Sequence, residues 1–501
     1  ELLDSEARQL LNDAPFLEGL KGADLNRKIF MVTSRLANRI LYQYTNRFMS
    51  LSMRAGFFDY LNTAGTIGLV HLLISPYYLA FHHQHKGKEL IREIAERLPE
   101  IPFPPAEEKI ALFTDTLDEI NGVAMTIRRL IRTAQERGIS LTVITSGDGS
   151  QATPAGVKQF QAVGDFVLPE YPELKLSFPP ILDVLNYIEK EEITRIHVST
   201  PGTVGLLGLL IARLMNIPVA GTYHTEIPQY VRSLTDDEFL EQVAWNYMIW
   251  FYNQMEEVMV PSASTREQLF SHGLPLEKMK PLPRWVDTEL FSPDKRIERF
   301  WLGRGLNART TLLYVGRVSR EKALDLLVES FCRLVDEGTE LCLAVVGDGP
   351  YRTEMEQSLA GYPALFTGYL QGEELQQAYA SADLFVFPSA TDTFGNVVLE
   401  AQASGLPVIV SDAGGPRELM VGGETGMVFS AGNQDELTGA IRSMTTNRLI
   451  LSLMGENARS FVLAKAPHAS DTYSTILQPG LRPGAGYSTF GESPCPQPSS
   501  C

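Results

Sequence analysis

Between residues 107 and 465 short apolar runs alternate with amphipathic segments, and this rhythm constrains the fold more than any other feature of the chain. A strand followed by a helix and another strand returns the chain parallel to itself, and a parallel sheet has to be covered by helices on both faces. The runs KIALFT (109–114), LTVITS (141–146), RIHVST (195–200), PVAGTY (218–223) and EVMVPS (257–262) read as strands of one sheet. A second set follows: TTLLYVGR (310–317), CLAVVGDG (342–349), ALFTGYL (364–370), LFVFPS (384–389) and PVIVSD (407–412). Between the sets, PLPRWVDTELFSP (281–293) breaks both patterns with Pro and turn-forming residues. The expected fold is therefore α/β, with two doubly wound, Rossmann-like domains facing a cleft, and ligands bound at the carboxyl ends of the strands.

The 501 residues agree with two or three domains. Residues 1–106 read as a helical region of unknown role, 107–284 as a first and 285–465 as a second α/β domain. A C-terminal helix at 466–480 is expected to cross back to the first domain, and 487–501 has too little apolar content to fold. A formal net charge of −17 excludes a nucleic-acid-binding role for the chain as a whole, while leaving room for a small basic pocket or membrane-facing patch. Cys332 and Cys342 fall in apolar segments and read as reduced core thiols; Cys495 and Cys501 have neither metal nor disulfide spacing, so a reducing cytoplasm fits. The chain begins at Glu1 rather than Met, which leaves its true N-terminus open.

The stretch TDTFGNVVLEAQASGLPVIVSDAGGPREL (391–419) carries Asp392 and Glu400 eight positions apart. On one continuous helix they would lie about 12 Å apart along the axis, too far to share one small group. Gly395-Asn396 instead predicts a helix beginning near Asn396, with Asp392 in the preceding loop and Glu400 in the early turns, and Gly395, Asn396 and Val397 are expected to bind the donor there. Two acids then bracket a helix N-terminus, which attracts anions. Carboxylates repel a phosphate, so they are suited to hydroxyl groups beside it. A phosphorylated sugar compound is the expected ligand.

Other strand ends carry complementary chemistry. YVGRVSREKALDLL (314–327) places Arg317 and Lys322 five apart at a loop-to-helix junction, a fork and a point charge able to neutralise a diphosphate. Each alone would read as a solvated helix start. The Gly347-Asp348-Gly349 turn lets backbone come close to a ligand, or merely lets a strand enter a helix. Gly414-Gly415-Pro416 shares that ambiguity. Asn121-Gly122 starts a helix, with Gly122 open to a phosphate or sugar and Asn121 otherwise a plain cap. His224 lies just past a strand end, where a histidine is structural or touches a transferred group.

Three chemistries are disfavoured. His82, His83 and His85 are adjacent, point different ways on a helix and have no carboxylate or thiol beside them, so no metal site is expected. No Gly-x-Ser-x-Gly elbow and no Gly-x4-Gly-Lys-[Ser/Thr] loop occurs. Residues 64–81 have no formal charge over 18 positions, the lower limit for a bilayer crossing, but His71, Ser75 and Pro76 favour a buried or interfacial helix.

Taken in order, GRVSREK, VVGDGP, TDTFGNVVLEAQASGLPVIVSDAGGPREL, RWVDTELFSP, INGVAMTIRRL and YHTEIPQY resemble the retaining glycosyltransferases of family 4, which have the GT-B fold. The resemblance spans roughly 108–478. It implies that Arg317 and Lys322 bind the donor diphosphate, Glu400 the ribose, and the Leu370-Gln371 backbone the base. Asp392 would hold the donor sugar, Gly122 would lie against the phosphates and His224 would approach the sugar. The family usually has Glu where Asp392 stands; branches that resemble mannosyl and sulfoquinovosyl transferases accept Asp, so the change reads as tuning. The implied activity is retaining hexosyl transfer, with mannose from GDP-mannose as first choice and a UDP-sugar as the alternative, to a lipid or glycan acceptor. A non-catalytic sugar-nucleotide-binding scaffold is the rival class. No cofactor or metal is implied, and the expected location is cytoplasmic or peripheral at the inner face of a membrane.

Overall fold

The computed structural model describes residues 2–50, 57–98, 107–117, 122–148, 153–168, 171–282 and 285–465. The expectations for 466–480, 487–501, Cys495, Cys501 and Asn121 fall outside these residues. By internal contacts the chain forms two compact units, Glu1–Thr222 with Gln254–Val258, and Tyr223–Asn253 with Met259–Cys501.

The N-terminal region is helical, in Leu2–Leu11, Ala14–Gly19, Leu25–Ser50 and Phe57–Arg97. In the last of these Val70, Ile74, Tyr78, Phe81 and His85 are buried, the three- and four-residue spacing of one helix face. That side packs on Leu25–Ser50, where the Phe30 ring meets Tyr77 at 5.7 Å and Phe81 at 6.4 Å, both edge-on. Ser34 Oγ donates to Asp183 at 2.7 Å, which ties the helical region to the rest of its unit. Of the clustered histidines, His83 is exposed while His82 and His85 meet polar neighbours. His82 Nδ1 lies 2.7 Å from the Leu214 carbonyl, and His85 lies 3.7 Å from Glu189, which also pairs with Lys88 at 2.9 Å. Among the described residues no helix is long and apolar enough to cross a membrane.

The first sheet opens with β1 (Lys109–Phe113), β2 (Ser140–Gly147) and β3 (Val157–Gln161). An antiparallel hairpin, β4 (Gly164–Leu168) and β5 (Tyr171–Phe178), stands apart from it. β6 (Arg195–Val198), β7 (Val219–Thr222), β8 (Glu257–Val260) and β9 (Met279–Pro281) complete seven strands in the order β3-β2-β1-β6-β7-β8-β9. The order reverses between β1 and β6. There Asp115, just after β1, accepts the Thr200 hydroxyl at 2.6 Å and the Val204 N–H at 2.8 Å, closing the first turn of helix Thr203–Met215.

The second sheet comprises β10 (Thr310–Val315), β11 (Leu341–Val346), β12 (Ala364–Gly368), β13 (Leu384–Phe387), β14 (Val408–Ser411) and β15 (Gly426–Phe429). Its order is β12-β11-β10-β13-β14-β15, with every neighbouring pair parallel. Helices cover both faces, so Leu312, Leu313, Leu343, Ala344, Phe385, Val386, Val408 and Ile409 have no solvent exposure. All ten expected strands form. β3, β4, β5, β9 and β15 were not anticipated: β3 is the polar-alternating VKQFQ, and β9 and β15 have only three and four residues. Cys342 is buried at 3.4 Å from the Thr311 hydroxyl, and Cys332 is partly buried; both are free thiols.

Gly347 and Gly349 let the turn after β11 lie against the turn after β10. Gly347 has φ +134°, and a Cβ there would stand 1.9 Å from the Gly316 carbonyl oxygen; one on Gly349 would stand 2.4 Å from that of Val318. Gly347→Ala is therefore expected to lower unfolding free energy by about 3 kcal/mol or more, from positive-φ strain plus a backbone clash. Urea denaturation checks this, and a loss below about 1 kcal/mol would show that the turn relaxes freely.

Candidate functional site

The switch point of the second sheet lies between β10 and β13, and the loops after these strands carry Lys322 and Asp392. In open α/β sheets this is where a crevice forms outside the strand ends. After β10 the chain makes a tight turn at Arg320–Lys322, then Ala323 adopts φ +51° before helix Leu324–Asp336. That reversal points Lys322 inward: it is 7 % exposed, with Nζ 2.8 Å from Asp392 Oδ2. Burial alone would lower the lysine's pKa, but the adjacent Asp392 charge raises it above its ordinary value, so the ammonium is permanent. The loops are tied again where the Thr391 hydroxyl donates to the Glu321 carbonyl at 3.2 Å. Tyr314 from β10 donates to the Arg317 carbonyl at 2.7 Å and fixes the turn in which that arginine sits, half-buried.

The helix after Asp392 runs Asn396–Ala403, as its sequence predicts. Gly395 precedes it at φ +77°, with Pro416 close enough that a Cβ would lie 3.0 Å from its ring. The Gly-Gly-Pro turn supports this loop, since the Gly415 N–H donates to the Asp392 carbonyl at 2.8 Å. A Cβ on Gly415 would lie 2.1 Å from the Thr393 carbonyl, which accounts for glycine there. Glu400, on the second turn, accepts the hydroxyl of buried Tyr379 at 3.1 Å. The two acids are thus held by separate partners, Lys322 and Tyr379.

A third segment joins the pair. Thr393 donates to the His224 carbonyl at 2.7 Å, bringing Tyr223–Tyr230 against the Asp392 loop within the same compact unit. Burial pushes the half-buried His224 imidazole down to about 4, so it is neutral near pH 7. Glu226, 4 % exposed, is pushed up to about 7, first by burial and then by the nearby charge of Asp392. Burial also raises Tyr230, whose side chain hydrogen-bonds Lys322.

The remaining expected contacts are spread over other strand ends. Leu370 and Gln371 follow β12, with Leu370 packed on the core and Gln371 exposed at the start of helix Gly372–Ala380. The turns after β11 and β12 touch through Gly347 N–H to Gly368 O at 2.8 Å and Tyr369 Oη to Asp348 O at 3.2 Å. Gly122 opens helix Gly122–Arg137 in the other unit, exposed. A cavity of about 460 Å³ in that unit, lined by Arg35, Arg39, Phe160 and Asp183, shares no residue with this site.

Sequence reasoning missed Glu226, Tyr230, Tyr314, Tyr379 and Thr393. For Glu226 a signal existed: Pro228 marks the first turn of helix Ile227–Thr235, which puts an acid at its N-cap between two aromatic residues. The tyrosines carry no comparable mark, because an aromatic in an apolar run reads as core.

Comparison with known proteins places these elements in context. Residues 120–290 match the family model Glycosyltransferase Family 4, and residues 309–447 match Glycosyl transferases group 1. The chain is 32% identical over 361 residues to the sulfoquinovosyl transferase SQD2 of Arabidopsis thaliana, covering 70% of this chain and 69% of that protein. It is 29% identical over 372 residues to a GDP-mannose-dependent alpha-mannosyltransferase of Mycobacterium tuberculosis, covering 72% and 93%. The structure of sucrose-phosphate synthase from Thermosynechococcus elongatus superimposes with a TM-score of 0.62 at 20% identity, over 74% of this chain and 97% of that one.

Proposed function

We propose, since the chain belongs to glycosyltransferase family 4 and has the GT-B fold, that this glycosyltransferase moves a hexose with retention from a nucleoside-diphosphate sugar to a lipid or glycan acceptor. The observation that carries the reading is the ion pair between buried Lys322 and half-buried Asp392 at the strand-order switch, a cation and a hydroxyl acceptor side by side. Lys322, with Arg317, neutralises the departing diphosphate, and the N-terminus of helix Asn396–Ala403 adds its positive end through Asn396 and Val397. Asp392 orients the sugar and Glu400 the ribose. The turns at Gly347, Gly349, Leu370 and Gln371 flank the nucleotide, and His224 faces the sugar as a neutral imidazole. The first domain, 107–284, takes the acceptor and the second, 285–465, the donor, with side-chain cations in place of a metal cofactor.

GDP-mannose is the first donor, supported by the mannosyltransferase relative. A UDP-sugar is the second reading, since a relative of similar identity is a sulfoquinovosyl transferase and not a mannosyltransferase. A lipid acceptor calls for contact with a bilayer from the cytoplasmic side. The exposed Leu69, Leu72, Leu73 and Leu79 on helix Phe57–Arg97 suit it, lying opposite that helix's packed face.

The two carboxylates provide the test. Glu400→Gln is expected to weaken free nucleoside diphosphate, because a charge-assisted hydrogen bond to ribose worth roughly 1.5–3 kcal/mol is exchanged for a weaker neutral one. Asp392→Asn is expected to leave that affinity unchanged and to reduce turnover of the intact donor. Calorimetry with GDP and UDP beside transfer assays separates the effects. Equal weakening of the bare nucleotide by both variants would refute this division of roles.

A further inference from the structure

The chain's own structure leaves a buried acid unused beside the Lys322–Asp392 pair. Glu226 occupies the N-cap position of helix Ile227–Thr235, yet its side chain makes no capping hydrogen bond. Among the described residues its carboxyl has no hydrogen-bond partner, and the neighbouring lysine is already engaged by Asp392 at 2.8 Å. It is 4 % exposed, so water does not solvate it freely. Next to it the Tyr223 hydroxyl, with 0 % exposure and electrostatically coupled to Glu226, also lacks a partner. Buried polar groups are nearly always satisfied; the Tyr223 hydroxyl is fully enclosed without a partner, whereas the Glu226 carboxyl oxygens are not fully enclosed and remain reachable from the site. The titratable groups that act on it are Asp392, whose charge faces it and is itself paired with Lys322, and Tyr223; His224 and Tyr230 belong to the same segment.

We infer that Glu226 is a sugar-binding carboxyl of this site, accepting a hydrogen bond from a hydroxyl of the transferred hexose beside Asp392. The inference rests on the proposed function, which gives Asp392 the same sugar. A hydroxyl supplies the hydrogen that the protein does not, and two carboxylates around one pyranose ring can read two of its hydroxyls together. The Asp392 side chain is 24 % exposed, so the pair opens to solvent on that side and a ligand has a way in. The burial that raises the Glu226 pKa to about 7 fits such a role, since a carboxyl near half-protonation can accept from one hydroxyl and donate to another.

The test uses the full chain with Glu226→Gln and Glu226→Leu. Turnover of GDP-mannose and of UDP-glucose, with transfer to water as the readout, is compared with calorimetric binding of GDP and UDP. Glu226→Leu is expected to lower kcat/KM for the accepted donor by roughly tenfold to a hundredfold, the range for losing one hydrogen bond to a charged group. Glu226→Gln, which still accepts a hydrogen bond, is expected to recover most of that loss. Both variants should bind the bare nucleoside diphosphate as the parent does. Both should melt at or above the parent temperature, because a buried unpaired acid has been removed. Unchanged donor turnover in Glu226→Leu overturns the inference, as does a fall in turnover matched by lower melting temperature or weaker GDP and UDP binding. If the parent neither binds nor turns over either sugar nucleotide, the proposed function fails with it, a result distinct from the other two.

Discussion

Lys322→Ala is expected to cost activity and stability together. Its ammonium is the partner of Asp392 at 2.8 Å, and both belong to loops that a parallel sheet brings side by side. Removing one member of a buried pair leaves the other charge without its counter-ion, a loss of about 3 kcal/mol, at the lower end of measured values because Asp392 keeps some contact with solvent. On the proposed function the same change removes transition-state stabilisation of about 3 kcal/mol, roughly a hundredfold in turnover. From sequence alone the lysine reads as a ligand contact whose removal would leave the fold intact; its burial predicts otherwise. Adding Asp392→Asn to Lys322→Ala should restore part of the stability and none of the turnover, since the stranded charge is gone while the site stays empty of its cation. Denaturation and rate measurements on the two singles and the double check this. Additive stability losses would show that the pair does not couple.

The second large effect is a pH dependence with opposing slopes. Glu226 has its folded pKa raised from 4.5 to about 7, so the folded state holds its proton more tightly than the unfolded state. The stability it contributes is full below pH 4.5 and is lost as pH rises through about 7, a span of about 3 kcal/mol. His224 runs the other way, with its folded pKa lowered from 6.5 to about 4. Its neutral form is favoured by folding, so stability is full above pH 6.5 and is lost as pH falls toward 4. Between these limits the two slopes largely cancel in the parent protein. Glu226→Gln should then gain stability over the parent as pH rises from 5 to 8, by about 3 kcal/mol at the top of that range, and should nearly coincide with it near pH 4. Urea denaturation across pH 4 to 8 measures the difference. A gap that does not vary with pH would mean that Glu226 titrates in the fold as it does unfolded.

The backbone plan was legible in the sequence because it rests on local rules. Apolar runs such as TTLLYV and LCLAVV had to be strands covered on both sides, and Gly395-Asn396 placed the start of the next helix correctly. The short strands escaped for the same reason, since three or four residues carry too few alternations to outweigh a loop reading. Motif order likewise led to the right family. What the tertiary structure alone decided is which side chains meet. Lys322 and Asp392 are 70 positions apart and touch because β10 and β13 are neighbours in the sheet although two strands intervene in sequence. Glu226 joins them from a segment more than a hundred and fifty residues away from Asp392, and its altered proton affinity exists only in that company. Residue type and local spacing determine strands, turns and the inventory of charges. Desolvation and the pairing of distant charges depend on where the sheet order brings its strand ends together, and that decides which acid is held by a lysine, which by a tyrosine, and which is left for a ligand.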